Sequence, residues 1–134
     1  MASLKDSHVR AILRLVRTLS TRVYAELGWG WREEVYREAL ARELADTGLD
    51  VSCEQSGCIM YKGQALSHVG IRMDLVVAGK VAVELKAVVR LAPRHMRQCS
   101  RYVENVAGIE AGIIVNFPDR ANSSIEACPV LLSC

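Results

Sequence analysis

The sequence predicts an α/β or α+β domain in which helices flank a central mixed β-sheet. The chain has 134 residues, which is enough for a single domain, residues 1–134, around one hydrophobic core. Apolar residue types make up 51% of it and charged types 24%, a composition that excludes an intrinsically disordered chain. Helical and strand-like periodicities follow each other in the order α-α-β-β-β-β-α-β, which indicates this layered architecture.

Two amphipathic helices are predicted at the start of the chain. Apolar residues recur at helical spacing from Asp6 or Ser7 to about Leu27. The sequence Gly28-Trp29-Gly30 interrupts this pattern, and helical spacing resumes over residues 31–47. Gly48 is the predicted C-cap, because glycine readily adopts the left-handed conformation that ends helices.

Strands dominate the predicted centre of the chain. Residues 51–61 and 65–68 flank a turn at 62–64, and residues 71–77 and 81–89 flank a turn centred on Gly79. Pro93 suits the first turn of a third helix, which we expect to run to about Ala107. A buried strand follows over residues 111–117, and residues 129–132 are an ambiguous candidate for a short last strand.

The hairpin around Gly79 has the pattern with the most chemical content. One face carries only apolar side chains, namely Met73, Leu75, Val77, Val81, Val83 and Leu85. The opposite face places Asp74 across from Glu84 and Arg72 across from Lys86, because cross-strand partners point the same way. Two carboxylates that face each other repel, so this pairing requires a reason.

Two interpretations of the hairpin remain open from its sequence alone. In a crossed charge ladder, Asp74 would reach diagonally to Lys86 and Glu84 to Arg72. Alternatively, a divalent cation such as Mg²⁺ or Mn²⁺ would lie between the two carboxylates, since these ions prefer oxygen ligands. Lys86 would then neutralise charge that develops on a phosphate beside the metal.

Two helical pairs add candidate site residues. Glu33 and Tyr36 lie one turn apart at the start of the second helix, where an acid also complements the helix dipole. Gln98 and Tyr102 lie one turn apart on the third helix, away from its apolar stripe. Taken singly, a surface glutamine and a half-buried tyrosine are the ordinary interpretation of the second pair.

Basic residues are concentrated near the third helix. Between Glu84 and Glu104 every charged residue is basic: Lys86, Arg90, Arg94, Arg97 and Arg101. We call the four arginines the basic stripe. Such a run is typical of a solvated helix face, and it also suits contacts with the phosphates of nucleic acid.

Cysteine and tryptophan usage completes the candidate features. The five cysteines are odd in number and irregularly spaced, which favours a reducing, cytoplasmic compartment and buried thiols over disulfides, zinc or an iron–sulfur cluster. No apolar run approaches the roughly 20 residues that span a bilayer, and no secretory signal is visible.

We expect Trp29 and Trp31 to pack at the corner between the first two helices, although their rings could also stack on bases.

The ordered combination of these motifs resembles the GxxExxY proteins, a group of the PD-(D/E)xK nuclease-like superfamily. The matching segments are residues 27–40 (LGWGWREEVYREAL), 72–77 (RMDLVV) and 83–87 (VELKA), the Gln98-x-x-x-Tyr102 helix, and residues 113–117 (IIVNF). The resemblance implies a restriction-endonuclease-like core. Met73 stands where the superfamily name has proline, but that position varies widely.

The resemblance also implies a role for each motif residue. Asp74 and Glu84 would bind Mg²⁺ (or Mn²⁺), and Glu33 would complete the metal site directly or through water. Lys86 would serve the attacking water and the scissile phosphate. Tyr36 would steady Glu33. Gln98 would orient Lys86 or the substrate backbone, with Tyr102 packed beside it.

The function predicted from the sequence is metal-dependent hydrolysis of phosphodiester bonds in DNA or RNA. Glu33, Asp74, Glu84 and Lys86 form a complete set, which favours a nuclease. The alternative is a catalytically inactive nucleic-acid-binding or adaptor module on the same fold, and a purely structural subunit is a third interpretation. Such a small domain has little surface for reading sequence, so a homodimer or a partner protein is expected to assist it.

Overall fold

The computed structural model describes the backbone of residues 4–131, and the side chains of that range except 4–6 and 67–70. The described residues form three helices and five strands. In chain order these are α1 (Leu4–Leu27), α2 (Glu33–Asp46), β1 (Val51–Tyr61), β2 (Gln64–Val77), β3 (Val81–Lys86), α3 (Pro93–Asn105), β4 (Ala111–Asn116) and β5 (Glu126–Leu131). The predicted α+β class is confirmed.

The strands form one mixed sheet with the order β1-β2-β3-β4-β5. Neighbouring strands are antiparallel, except that β3 and β4 are parallel and are joined by the crossover helix α3. Side chains of α1 and α2 pack with one face of the sheet in the larger hydrophobic core. Side chains of α3 pack in a smaller core on the other face. The sheet is therefore the middle layer between helices, as the sequence predicts.

Two strands are assembled differently from the prediction, and β3 ends at Lys86 instead of residue 89. The segments predicted as separate strands, 65–68 and 71–77, belong to the single strand β2, because β1 remains its partner past a register shift between Cys58 and Met60. The ambiguous tail is the edge strand β5, which begins at Glu126 and pairs with β4. Leu132, the last residue of that predicted segment, lies outside the described residues.

The hairpin around Gly79 has the predicted register, with Leu75 opposite Val83. Its apolar face contributes five fully buried side chains to the larger core, namely Leu75, Val77, Val81, Val83 and Leu85. Met73 is also fully buried, but it packs in the smaller core beneath α3, so its predicted face is wrong. The strand pairing is irregular at this point: Glu54, at the position across from Asp74 on β1, has a left-handed φ of 52°, and the ladder skips this pair.

An aromatic cluster in the larger core anchors the start of α2. The rings of Tyr36 and Phe117 are stacked, with centroids 4.4 Å apart and planes at 2°. Phe117 directly follows β4, and the Tyr24 hydroxyl donates a hydrogen bond of 2.7 Å to the carbonyl of Pro118. The first turn of α2 is therefore held over the ends of the parallel strands β3 and β4.

No described helix is both long and apolar enough to cross a bilayer.

The cysteines match the prediction of buried thiols only in part. Cys99 is buried, and burial raises the pKa of its thiol to about 12. Cys53 and Cys58 are exposed, so the prediction of buried thiols is wrong for these two. They lie on the edge strand β1, which no further strand covers in the described sheet; Cys134 lies outside the described residues.

Gly112 allows α3 to pack closely on β4, and we expect Gly112→Ala to destabilise the fold by about 1–3 kcal/mol. An added Cβ would lie 2.8 Å from the Sγ of Cys99 and 2.9 Å from the Cγ2 of Val103. Chemical denaturation measures the loss. Because Cys99→Ala removes one of the two clashing atoms, the double variant should lose less stability than the two single losses added together. Strictly additive losses would contradict the close packing.

Candidate active site

Asp74 and Glu84 lie where the pairing of β2 with β3 ends. The last paired residues are Leu75 and Val83, and beyond them side chains replace the backbone ladder. The Asp74 Oδ2 accepts a hydrogen bond of 2.8 Å from the backbone N–H of Leu85. The backbone N–H of Asp74 in turn contacts the Glu84 Oε1 at 3.5 Å. These contacts hold both carboxyl groups between the two strands at the carboxyl end of β3.

Glu33, the first residue of α2, joins these two acids. Its pKa is raised to about 7, chiefly by burial, then by the charge of Asp74, with which its side chain also forms a hydrogen bond. The charges of Lys86 and Arg37 act in the opposite direction. A carboxyl that the sequence places 41 residues from Asp74 is therefore brought into direct contact with it. We call Glu33, Asp74 and Glu84 the acid cluster.

Glu84 is the most deeply buried member of the acid cluster. Its side chain is nearly inaccessible, at 4% exposure. Burial and the neighbouring charge of Asp74 raise its pKa to about 8, although the Asp74 N–H and the Lys86 ammonium favour the ionised form. The raised pKa values of Glu33 and Glu84 mean that their surroundings disfavour negative charge on both carboxyl groups. A cation bound among these groups would remove that penalty.

Lys86, two residues after Glu84, supplies the positive charge near the acid cluster. Its charge acts on the pKa values of Glu33, Glu84 and His95, which shows that it lies among them. Among the ion pairs that the described residues form, none joins Lys86 to Asp74 or Arg72 to Glu84. The crossed charge ladder is therefore not the arrangement of this hairpin.

The donor set of the acid cluster suits a hard divalent cation. Three carboxyl groups offer oxygen ligands, which Mg²⁺ and Mn²⁺ prefer. The pKa values of Glu33 and Glu84 are raised first by burial and then by the charge of Asp74, and a bound cation would oppose both effects. Within the described part of the chain, however, no three His, Cys, Asp or Glu side chains already stand at the spacing of metal ligands. The chemistry fits a metal, while Asp74 Oδ2 is engaged by Leu85.

Gln98 and Tyr102 lie behind the acid cluster on α3. The Gln98 Nε2 donates a hydrogen bond of 2.8 Å to the hydroxyl of Tyr102, which is itself buried. The charges of Glu84 and Asp74 raise the pKa of Tyr102 further than its burial alone does. Gln98 is thus bonded to Tyr102, and no described hydrogen bond joins it to Lys86.

Tyr36 fixes the turn that precedes Glu33. Its hydroxyl donates a hydrogen bond of 2.7 Å to the Gly28 carbonyl and accepts a longer one, 3.4 Å, from the N–H of Trp31. It supports Glu33 through the backbone, and no described hydrogen bond joins the two side chains. Trp29 and Trp31 are 54% and 50% exposed, so the prediction that they pack into the corner is wrong.

The basic stripe lies on the surface beside the site. All four of its arginines are exposed, and on α3 Arg94, Arg97 and Arg101 follow helical spacing along one face. None of them belongs to an ion pair among the described residues. Their guanidinium groups are available to an anionic ligand.

His95 is a neighbour of the site that the sequence motifs described above do not include. It is only 8% exposed, and its Nδ1 accepts a hydrogen bond of 2.9 Å from the backbone N–H of Ala92. Burial and the charges of Arg94 and Lys86 lower its pKa. Its position three residues after the N-cap of α3 and two residues after Pro93 is a signal that could have identified it as a capping residue.

A second group missed from the sequence fixes the loop that follows Lys86. The buried Asn116 lies opposite Lys86 on β4, and its side chain donates to and accepts from the backbone of Val88, at 2.9 Å each. The Glu126 Oε2 accepts hydrogen bonds from Asn116 at 2.8 Å and from the N–H of Leu91 at 3.0 Å. An asparagine that ends an otherwise apolar strand is the sequence signal for this contact.

Comparison with known proteins identifies the family. The sequence model of the PD-(D/E)XK nuclease superfamily matches residues 10–127. The chain belongs to this superfamily. Among curated proteins none matches the sequence significantly. Among solved structures, the alkaline exonuclease LHK-Exo from Laribacter hongkongensis is similar, with a TM-score of 0.47 and 13% identity over 90% of this chain and 79% of that one.

The raised pKa values of the acid cluster predict that the stability of this protein without bound metal depends on pH. Ordinary pKa values of 4.5 rise to about 7 for Glu33 and about 8 for Glu84 in the folded chain. Between these values the folded state binds more protons than the unfolded state, so the free energy of unfolding should fall as the pH rises from about 4.5 to 8. Denaturation at a series of pH values, with chelator present, measures this slope.

The variant Glu84→Gln should flatten that slope and gain stability over the wild type at the alkaline end, because glutamine stays neutral. The exposed Glu104 on α3 provides the matched control, and Glu104→Gln should keep the wild-type slope. An unchanged slope in Glu84→Gln would contradict the electrostatics described for this site.

Proposed function

We propose that this protein is a metal-dependent nuclease that hydrolyses phosphodiester bonds in DNA or RNA. One observation carries the proposal: Glu33, Asp74, Glu84 and Lys86, from α2, β2 and β3, form one electrostatically coupled group at the carboxyl end of β3. Membership of the PD-(D/E)XK nuclease superfamily supports it. The exposed arginines of the basic stripe offer charge complementary to a phosphate backbone.

The residues divide the chemistry among them. Asp74, Glu84 and Glu33 would hold Mg²⁺ or Mn²⁺, which when bound supplies Lewis-acid activation of water and of the phosphate. Lys86 places an ammonium beside the acid cluster, where it neutralises charge that develops on the phosphate oxygens. In the metal-free protein Glu33 has a pKa of about 7, so this carboxyl would lose its proton near neutral pH to become a metal ligand.

We further assign the chain to the GxxExxY group within the superfamily. In Gly30-x-x-Glu33-x-x-Tyr36 each named residue has a distinct task in this fold. Gly30 adopts a positive φ of 96° in the turn, Glu33 reaches Asp74, and Tyr36 ties the turn to the core. We expect Gln98 to act on the site through Tyr102, to which it is bonded.

A nucleic-acid-binding or adaptor module without turnover is the second candidate function. The observation that favours it is the engagement of the Asp74 Oδ2 by the backbone of Leu85 at 2.8 Å, which occupies one prospective metal ligand. Such a module would use the basic stripe and would act with a second copy or a partner protein. The two candidates differ in whether metal-dependent cleavage occurs.

Metal-dependent cleavage is therefore the first test. Full-length protein is incubated with single-stranded and duplex DNA and RNA, with Mg²⁺ or Mn²⁺ and with chelator, and products are resolved on gels. We expect cleavage that chelator abolishes. Lys86→Ala should reduce the rate by about 100-fold or more, because a charge that stabilises the transition state is lost.

Lys80→Ala is the matched control for that substitution. Lys80 lies next to the other end of β3, where its ammonium is 3.9 Å from Glu110, and its removal should leave the rate unchanged. Cleavage that persists with chelator or in Lys86→Ala would contradict the proposed mechanism. Salt-sensitive binding without any cleavage would favour the binding module.

The basic stripe is tested by the salt dependence of binding. Arg97→Ala and Arg101→Ala should each weaken the binding of nucleic acid regardless of its base sequence. An arginine that contacts a phosphate displaces counterions from the nucleic acid, and this contribution is lost in the variants. Each should lower the slope of log K against log salt by about 0.7–0.9. Arg42→Ala removes an exposed arginine that is paired with Glu38 at 3.1 Å on α2, and it should not change the slope. If Arg97→Ala and Arg101→Ala keep the wild-type slope, as Arg42→Ala should, the basic stripe is not the phosphate contact.

A further inference from the structure

Two tryptophans project from the turn that leads directly into the candidate active site. Trp29 and Trp31 leave about half of their surface to solvent, at 54% and 50% exposure, while the Tyr24, Tyr36 and Phe117 rings are buried in the larger core. Burying an indole ring stabilises a fold more than burying most other side chains does. Two exposed indoles in one short turn are therefore a feature that the fold itself does not explain.

The turn that carries these rings is held in place. The Trp31 Nε1 donates a hydrogen bond of 2.8 Å to the carbonyl of Leu27, which satisfies the only polar group of its indole. The Tyr36 hydroxyl binds both Gly28 and the backbone N–H of Trp31, as described above. These bonds hold the turn and the Trp31 indole in place. The exposed ring can therefore stack on a ligand without a further loss of conformational freedom.

The surroundings of the two rings match the chemistry of nucleic acid. Arg32 stands between Trp31 and Glu33. Its side chain is 82% exposed, and its guanidinium lies 3.8 Å from the exposed Glu34 carboxylate, a surface pair that a phosphate can displace. A charged residue beside two separate rings differs from the contiguous apolar patch of a typical protein-binding surface. Aromatic rings next to exposed cationic groups are the usual elements that bind unpaired bases and their phosphates.

We infer that Trp29 and Trp31 stack on unpaired nucleobases and thereby select single-stranded DNA or RNA, or frayed ends, at the cleavage site. This inference rests on the proposed function for its biological meaning, since Glu33 follows Trp31 by two residues and belongs to the acid cluster. Bases inside a duplex are already stacked on each other and do not offer a face. A strand with free bases would be held by its bases at this turn and by its phosphates at the basic stripe.

The chain contains only these two tryptophans, so its intrinsic tryptophan fluorescence reports on them alone. Full-length protein in chelator is titrated with a single-stranded oligothymidylate, with an oligouridylate, with an abasic strand of the same length and with a duplex. Chelator prevents the proposed cleavage from interfering. We expect a base-bearing single strand to quench the emission, and the abasic strand and the blunt duplex to leave it largely unchanged.

Substitution separates the rings from the rest of the surface. Trp29→Ala should weaken binding of the base-bearing strand by about tenfold, and binding of the abasic strand should not change. Trp31→Phe keeps an aromatic ring if Trp31→Ala fails to fold, and it should show a smaller loss. Tyr61→Ala is the matched control, because Tyr61 is an equally exposed aromatic, at 59%, at the distant end of the β1–β2 hairpin.

The outcomes are distinguishable from those of the cleavage test. Base-dependent quenching that Trp29→Ala weakens supports the inference even if no cleavage occurs with metal. Equal binding of abasic and base-bearing strands overturns it even if the protein cleaves, and it leaves a protein partner as the ligand of the two rings. A loss in Tyr61→Ala as large as that in Trp29→Ala also overturns it.

Discussion

The arrangement of the site depends on three carboxyl groups that the fold forces together in a partly buried place. Glu84 and Glu33 have raised pKa values because they lose water and lie close to Asp74. A fold selected for stability alone would replace such a cluster by apolar residues, since burying like charges is costly. The cluster therefore supports the proposal of a ligand site, and its oxygen donors and the nearby Lys86 suit the proposed divalent cation and phosphate.

The scaffold explains how such a cluster is tolerated. Backbone pairing of β2 with β3 stops before Asp74, and N–H groups that would complete the ladder bind carboxyl oxygens instead. Behind them, Asn116 and Glu126 fix the loop after Lys86, and His95 caps the next helix. The stacked pair of Tyr36 and Phe117 holds the first turn of α2 above the same end of the sheet. Rigid elements therefore position all four charged groups.

Much of this architecture could be predicted from the sequence because it depends on short-range patterns. The turn at Gly79 and the alternation around it determine the register that places Asp74 beside Glu84. The side on which Met73 packs could not be predicted, because strict alternation along β2 places it with Leu75, whereas the structure places it in the smaller core. The roles of Asn116, Glu126 and His95 depend on contacts between distant segments, which periodicity does not reveal. The exposure of Trp29 and Trp31 was likewise decided by tertiary packing.

Calorimetric titration of Mn²⁺ into metal-free protein at neutral pH tests the central claim most directly. The account predicts that Mn²⁺ binds at a single site and releases protons, because carboxyls with pKa values of about 7 and 8 must ionise to become ligands. Buffers with different ionisation enthalpies measure the release, and Asp74→Asn should abolish most of the binding. If Mn²⁺ fails to bind, or binds Asp74→Asn as tightly as the wild type, the acid cluster does not hold a metal.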